Sequence, residues 1–272
     1  MALQSSGAIS LSQIAAEFGG STPHSLSEYY GAAAGVPSSG AIDFADFYGT
    51  ASGPATSGLL FNLDARSSSS YTSGATTWYD LTSNNRDFSL VNGPSNGTNK
   101  IDFDGSNDYA QIADGSWIPE GSSAKSFEIM VYIDQVRNSY YDFFVSKTSP
   151  SNQSFSFGLD NTSSATKLVL GTQGGGSYAS GSASATVSGV VGAWNHFAFT
   201  YDGSVLKMYQ NANLVHTSGT GKSLHSNTAP LRLMCFDPSN SFYSWPVNGK
   251  VEFVRMYNRA LSASEISSNM NA

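Results

Sequence analysis

Carboxylates, aromatic rings and one thiol are the side chains in this sequence with chemistry to offer. Cleaving a glycosidic bond takes two carboxyl groups flanking the sugar, and a strand carrying Glu-x-Asp-x-Glu supplies them because alternate residues share one face. The six glutamates here are Glu17, Glu28, Glu120, Glu128, Glu252 and Glu265, and no two are within a few residues of each other. Glu128 and Glu252 fall on predicted strands, so a cross-strand Glu128–Glu252 pair is the arrangement a hydrolase would need. Glu128 lies opposite the apolar face of Phe127 and Ile129, which predicts a solvent-facing side chain. The expectation is a protein that is not an enzyme.

The segment FDGSNDY places Asp102, Asp104 and Asp108 within seven residues. Their oxygens suit calcium, although the spacing is not that of a dedicated calcium loop. In the alternative reading Asp104 and Asn107 close turns on their own backbone. No other cofactor is expected. The four histidines, His24, His196, His216 and His225, are far apart and lack zinc spacing. The single cysteine, Cys235 in LRLMCF, reads as a small buried apolar residue. The sequence contains no Gly-x-Ser-x-Gly elbow, phosphate loop or dinucleotide fingerprint.

Three predicted loops pair aromatic residues with Asn, Asp, Ser and Gly: RNSYYD, GTQGGGSYASG and PSNSFYSWP. Sugars stack on such rings and bond to such neighbours. The candidate carbohydrate contacts are Tyr141, Tyr178, Tyr243 and Trp245. A second reading stays open, in which these rings seal the ends of the domain or meet a neighbouring subunit.

The elements that hold these residues come from a chain of 272 residues, of which 12% are charged and 40% hydrophobic. That low charge, with abundant Ser, Gly, Asn and Thr, suits many short strands joined by tight turns. The net charge of −7 and the scattered Lys and Arg exclude a phosphate-backbone binder, so no nucleic-acid partner is expected. No stretch approaches the ~20 apolar residues of a membrane span, so no membrane insertion is expected. The N-terminus, MALQSSGAIS, lacks the pattern of a secretory signal.

From Leu59 onward the period is two. SFEIMVYID and HFAFTYD alternate cleanly, and DFFVSK, SFSFGLD, KLVLGT, VLKMYQN, LRLMCF and KVEFVRMYN are further strand candidates. Asp104-Gly105, Asp202-Gly203, Asn248-Gly249 and Gly174–Gly176 read as turns. The fold class is all-β, a sandwich with a small N-terminal segment of short helices. Trp194, Phe197 and Phe199 are expected between the sheets, with Trp78 and Tyr79 closing one end.

The first 50 residues follow a different plan. SSGAI occurs at residues 5–9 and 38–42, and SLSQIAAEFG, SLSEYYG and DFADFYG share a polar start, an aromatic and a final glycine. Ser10 or Ser12, Ser25 or Ser27, and Asp43 are positioned as N-caps, and Gly19, Gly31 and Gly49 as C-terminal breaks. Such short helices must pack on something. Ile14, Phe18, Tyr29, Tyr30, Phe44, Phe47 and Tyr48 are the candidate anchoring or oligomer contacts. Residues 51–57 read as a linker, and Ser262 with Glu265 as the capping box of a terminal helix.

GLLFNLDA, TWYDLTSNN, KIDFDGSNDYAQI, AWNHFAFTYDGSVLKMYQNANLV and GKVEFVRMYNRALSASEI, in that order, resemble laminin-G-like, concanavalin A-like jelly-roll domains over residues 58–272. That resemblance implies a concanavalin A-like jelly-roll β-sandwich, a fold shared by lectins, glycosidases and spacers. The N-terminal repeats over residues 4–49 resemble segments of structural proteins of tailed bacteriophages. Together these imply a non-enzymatic virion protein, made in the host cytoplasm. The sandwich would be displayed on the particle, as tail fibre or capsid decoration, for adhesion to host-surface glycan or reinforcement of the shell. The implied partners are other virion proteins through the N-terminal segment, a host glycan, and further copies of the chain as a homo-oligomer. A free lectin is the alternative.

Overall fold

The computed structural model describes residues 3–33, 36–37, 39–48, 53–138, 140–149, 152–173, 183–220, 224–238 and 245–272. It divides into two units, residues 1–56 with 262–272, and Ser57–Leu261.

The larger unit is the sandwich. Its strands, in chain order, are β1 (Leu59–Asp64), β2 (Thr77–Trp78), β3 (Phe88–Val91), β4 (Ser95–Gly97), β5 (Lys100–Asp104), β6 (Tyr109–Ile112), β7 (Lys125–Gln135) and β8 (Tyr141–Ser149). They continue with β9 (Asn152–Asp160), β10 (Lys167–Gln173), β11 (Ala183–Thr186), β12 (Trp194–Tyr201), β13 (Leu206–Gln210), β14 (Asn213–Thr217), β15 (Leu231–Leu233) and β16 (Asn248–Tyr257). One sheet runs β14-β13-β12-β7-β16-β5-β4, with β1 also on β16. The other runs β11-β10-β9-β8-β15-β6-β3-β2. Every pairing between these strands is antiparallel.

Alternation explains the core. Phe127, Ile129, Val131 and Ile133 from β7, and Phe197, Phe199 and Tyr201 from β12, are fully buried. They meet Phe144, Phe155 and Phe157 of the facing sheet in one cluster. Phe144 and Phe197 stack at 5.1 Å, and Phe157 meets Phe199 edge-on at 5.2 Å. Two packed apolar faces of this kind are what a sandwich needs.

Several expectations change here. Trp78 is fully buried in the core, but Tyr79 is 49% exposed and closes nothing. Trp194 is 36% exposed, because the alternation that turns Phe197 inward turns Trp194 outward, against Tyr132 at 5.7 Å. Asn248-Gly249 is no turn. It opens β16 at a register shift, where a Cβ on Gly249 would stand 2.4 Å from the Tyr132 carbonyl. The run Gly174–Gly176 lies outside the described residues. Cys235 is buried as expected, and burial pushes its thiol well up.

The smaller unit has its own core. Helix α1 (Leu11–Phe18) starts at a Ser10–Gln13 capping box, and Gly19 follows it at a φ of +76°. Single-turn 3-10 helices follow at Leu26–Tyr29, after Ser25, and at Phe44–Phe47, capped by Asp43 with Asp46. Leu3, Ile14, Tyr29, Val36 and Phe47 are buried together, and the rings of Phe18, Tyr29 and Phe47 meet pairwise at 5.9–6.3 Å. Ile14, Tyr29 and Phe47 therefore fill the unit's own interior. Tyr30, Phe44 and Tyr48 keep 36%, 39% and 37% of their surface exposed. The second turn ends at Tyr30, before Gly31, and Gly49 lies outside the described residues.

The final helix, α2 (Ala263–Met270), begins at the Ser262–Glu265 capping box. It groups with the N-terminal segment, not with the sandwich. The stretch read as a linker lies partly outside the described residues, and its far end is fixed: Ala55 N–H donates to Asn269 Oδ1 at 2.8 Å. Among the described residues no helix is long and apolar enough to cross a membrane.

Candidate functional site

A cleft of about 800 Å³ opens on the sandwich, walled by Arg86, Asp114, Trp117, Glu120, Ser123 and Asn258 among others. The loop from β6 to β7 forms most of it. Ile118 N–H closes a turn on the Gly115 carbonyl at 3.0 Å. The indole of Trp117 folds back so closely that a Cβ on Gly115 would lie 2.6 Å from its Nε1, so only glycine fits. Trp117 meets Phe61 edge-on at 6.3 Å, and the Arg86 guanidinium lies 4.2 Å over the indole.

Arg86 is held from both ends. Its Nη1 donates to the Leu60 carbonyl at 2.8 Å, and its backbone N–H donates to Asp80 Oδ2 at 3.0 Å. Asp80, nearly buried, also accepts from Asn62 N–H, Thr82 N–H and the Thr82 hydroxyl. Burial lowers the Arg86 pKa, and Asp80 opposes that shift. This wall is organised before any ligand arrives.

Behind the other wall, which Asp114 and Glu120 line, is Lys147, fully buried on β8. Its Nζ stands 2.7 Å from Asp114 Oδ1 and 2.7 Å from Glu120 Oε1, and donates to the Asn227 carbonyl at 2.6 Å. The two carboxylates keep 30% and 23% of their side chains exposed. Arg86 and Lys147 set two cations against the carboxylates of Asp114 and Glu120. Two contacts of 2.7 Å to one nitrogen hold the bound oxygens within twice that, 5.4 Å, of each other. A retaining glycosidase spaces its carboxyls at about 5–5.5 Å. Here an ammonium lies between them, where such an enzyme must seat the anomeric carbon.

The cross-strand carboxylate pair that a hydrolase would need does not form. Glu128 stands across from Arg255 in the register, and Glu252 lies at the β16 register shift. Glu128 is buried, not solvent-facing. Its Oε1 is 3.4 Å from Arg255 Nη1 and from Tyr257 Oη, and its Oε2 is 3.5 Å from His196 Nε2. The register put Glu128 on the expected face, but polar partners on that face share its burial.

Asp102, Asp104 and Asp108 do not converge on a metal site, and no group of three or more potential ligands exists among the described residues. Asp104 closes the turn instead, accepting from Ser106 N–H at 2.7 Å and Asn107 N–H at 3.3 Å, and these bonds lower its pKa. Asp108 accepts from Asp104 N–H at 3.1 Å, with burial raising its pKa.

Of the aromatic candidates, Tyr141 and Trp245 do come together, with centroids 5.4 Å apart. They pack with Phe143, Val169 and Phe236 in a cluster separate from the main core. Tyr141 stacks on Phe143 at 5.4 Å and 5°, and Trp245 is only 8% exposed. Trp245 is thus a packed residue rather than an open sugar platform. Tyr178 and Tyr243 lie outside the described residues.

Sequence reasoning passed over Trp117, Arg86, Asp114 and Lys147. The signal is present in DGSWIPEGSS, an aromatic among Asp, Gly, Ser and Glu, similar in make-up to RNSYYD and PSNSFYSWP. Lys147 gave none, since a lysine in an alternating strand reads as surface.

No curated protein matches the chain. Solved structures do. Domain 4 of AbnA, a GH43 extracellular arabinanase from Geobacillus stearothermophilus, in complex with arabinotriose, matches with a TM-score of 0.57 at 15% identity, covering 78% of this chain and 97% of that one. Trypanosoma rangeli sialidase in complex with sialic acid matches at 0.58 and 15% identity, over 84% of this chain but 34% of that one. The binding domain of Paraclostridial Mosquitocidal Protein 1 matches at 0.55 and 14%, over 77% and 51%. At these identities the likeness speaks for the fold alone. The Laminin_G_3 family model, described as the concanavalin A-like lectin/glucanases superfamily, matches residues 104–267, and the chain belongs to that family.

Proposed function

We propose that the sandwich is a non-enzymatic carbohydrate-binding module that takes a short neutral oligosaccharide in the Trp117 cleft. The observation that supports this best is the cleft's make-up: an indole beside carboxylates balanced by Lys147 and Arg86. Its volume, about 800 Å³, is in the range of ordinary ligand sites. Ser116, Ser123 and Asn258 add hydrogen-bonding groups. A neutral sugar needs no charged partner there, and the complex of the arabinanase domain with arabinotriose makes a neutral trisaccharide a sensible first ligand. The ammonium between Asp114 and Glu120 is the reason to expect binding without hydrolysis.

The N-terminal unit would attach this module to a tailed-phage particle, as the repeats resembling phage structural proteins imply. Its apolar residues pack on one another, which favours a separate attachment element over a lid for the sandwich.

The test is calorimetric titration with neutral oligosaccharides chosen from a glycan array, with chromatography of the mixture. Wild type should bind and release no product, and Trp117→Ala should weaken binding at least about tenfold, the scale of a lost aromatic platform. Hydrolysis, or binding indifferent to Trp117→Ala, would contradict the reading.

A further inference from the structure

The N-terminal unit holds a second cavity, of about 420 Å³, lined by Phe18, Glu28, Tyr29, Tyr30 and Pro54 among others. Tyr29 is nearly buried, while Tyr30 stands at the rim with 36% of its surface exposed. Glu28 is fixed: its Oε1 accepts from Ser21 N–H at 2.7 Å, and its Oε2 is 3.2 Å from His24 Nδ1. It still leaves 28% of its side chain exposed.

The charge of the unit is one-sided. Its acids are Glu17, Glu28, Asp43, Asp46 and Glu265, and it contains no lysine or arginine. All 13 lysines and arginines belong to the sandwich unit. Apart from His24, which already lies against Glu28 Oε2, the unit has no basic side chain to bring to the cavity, and the N-terminal unit of another copy has no lysine or arginine to offer either.

We infer that this cavity docks a lysine or arginine side chain presented by a basic segment of a partner protein. An aromatic rim with one carboxylate is the chemistry that receives a cation: the part-exposed Tyr30 ring can carry a cation–π contact and the acid a charge-assisted hydrogen bond. The acidic field of the unit steers the basic segment to the cavity. This deepens the reading of the unit as an attachment element and is independent of the glycan cleft.

The test is fluorescence anisotropy of the full chain with labelled hexalysine, and hexaglutamate as control. Hexalysine should bind and hexaglutamate should not. Glu28→Gln, which keeps an acceptor for Ser21, and Tyr30→Ala should each weaken binding roughly tenfold. Tyr30→Phe should bind like wild type, because the ring is kept. Glu17→Gln should change affinity by less than about twofold. Thermal unfolding of each variant checks that it is folded. Equal losses for Glu17→Gln and Glu28→Gln would show diffuse attraction and overturn the inference. So would no binding of hexalysine, or a peptide-free dimer abolished by the same variants, which would make a second copy the occupant. Oligosaccharide binding should survive Glu28→Gln, so failure of this docking and failure of the glycan site are separately visible.

Discussion

The two aromatic sites of the sandwich begin from similar sequence. One contains Ser-Trp-Ile-Pro at Trp117, the other Ser-Trp-Pro at Trp245, each among polar residues. Trp245 is surrounded by Phe236 at 5.0 Å, Tyr141 at 5.4 Å and Phe143 at 5.9 Å. Among the described residues Trp117 has one ring contact, at 6.3 Å; it packs on the edge of the main core and stands beside Arg86 and the polar groups of the cleft. Rings that enclose one another make a core; a ring at the edge of a core, with polar neighbours and space on its other side, makes a site. The surrounding topology, not the tryptophan, decides which.

Trp245→Ala should therefore act on stability. Truncating a packed tryptophan costs about 3–5 kcal/mol. Trp245 also sits at a φ of +35°, a conformation that its packing must hold against strain. Chemical denaturation should show that loss with oligosaccharide affinity unchanged. A loss of affinity in a folded variant would move the binding site to this cluster.

Asp142, next to Tyr141, sharpens the contrast. Burial raises its carboxyl from 3.8 to about 6, against hydrogen bonds from Arg137 N–H and Asn161. Between those values the folded state keeps a proton that the unfolded state has released. Its contribution to stability is therefore full below the lower value and is lost as pH rises to the higher one, by up to roughly 3 kcal/mol. Asp142→Asn should remove that slope from denaturation midpoints measured across this window. An unchanged slope would mean that Asp142 titrates normally.

In the cleft, Lys147→Met should cost about 2 kcal/mol, since the carboxylates left behind are partly exposed and can hydrate. Neutral-sugar affinity should fall with the lost balance of charge. A more stable variant with intact affinity would show that the ammonium organises nothing.

The sandwich was readable because alternation is a local signal: Phe127 to Ile133 and Phe197 to Tyr201 each declare a face. The same signal placed Glu128 on the right face yet said nothing of what else is buried there. The capping boxes at Ser10, Asp43 and Ser262 were local too. The cleft was not. Arg86, Trp117 and Lys147 come from distant strands and loops, and only the strand order brings them together. The burial of Tyr29 and the exposure of Tyr30 could not be separated from sequence, because neighbouring rings on one short turn look alike there.

The central claim is that a neutral oligosaccharide binds at Trp117. The chain has four tryptophans, Trp78, Trp117, Trp194 and Trp245, each with one indole N–H reporter. Titrating the ¹⁵N-labelled protein with a neutral oligosaccharide should shift the Trp117 indole signal progressively to saturation and leave Trp245 in place. A saturable shift at Trp245 with Trp117 unmoved, or no saturable shift at any of the four, would contradict the account.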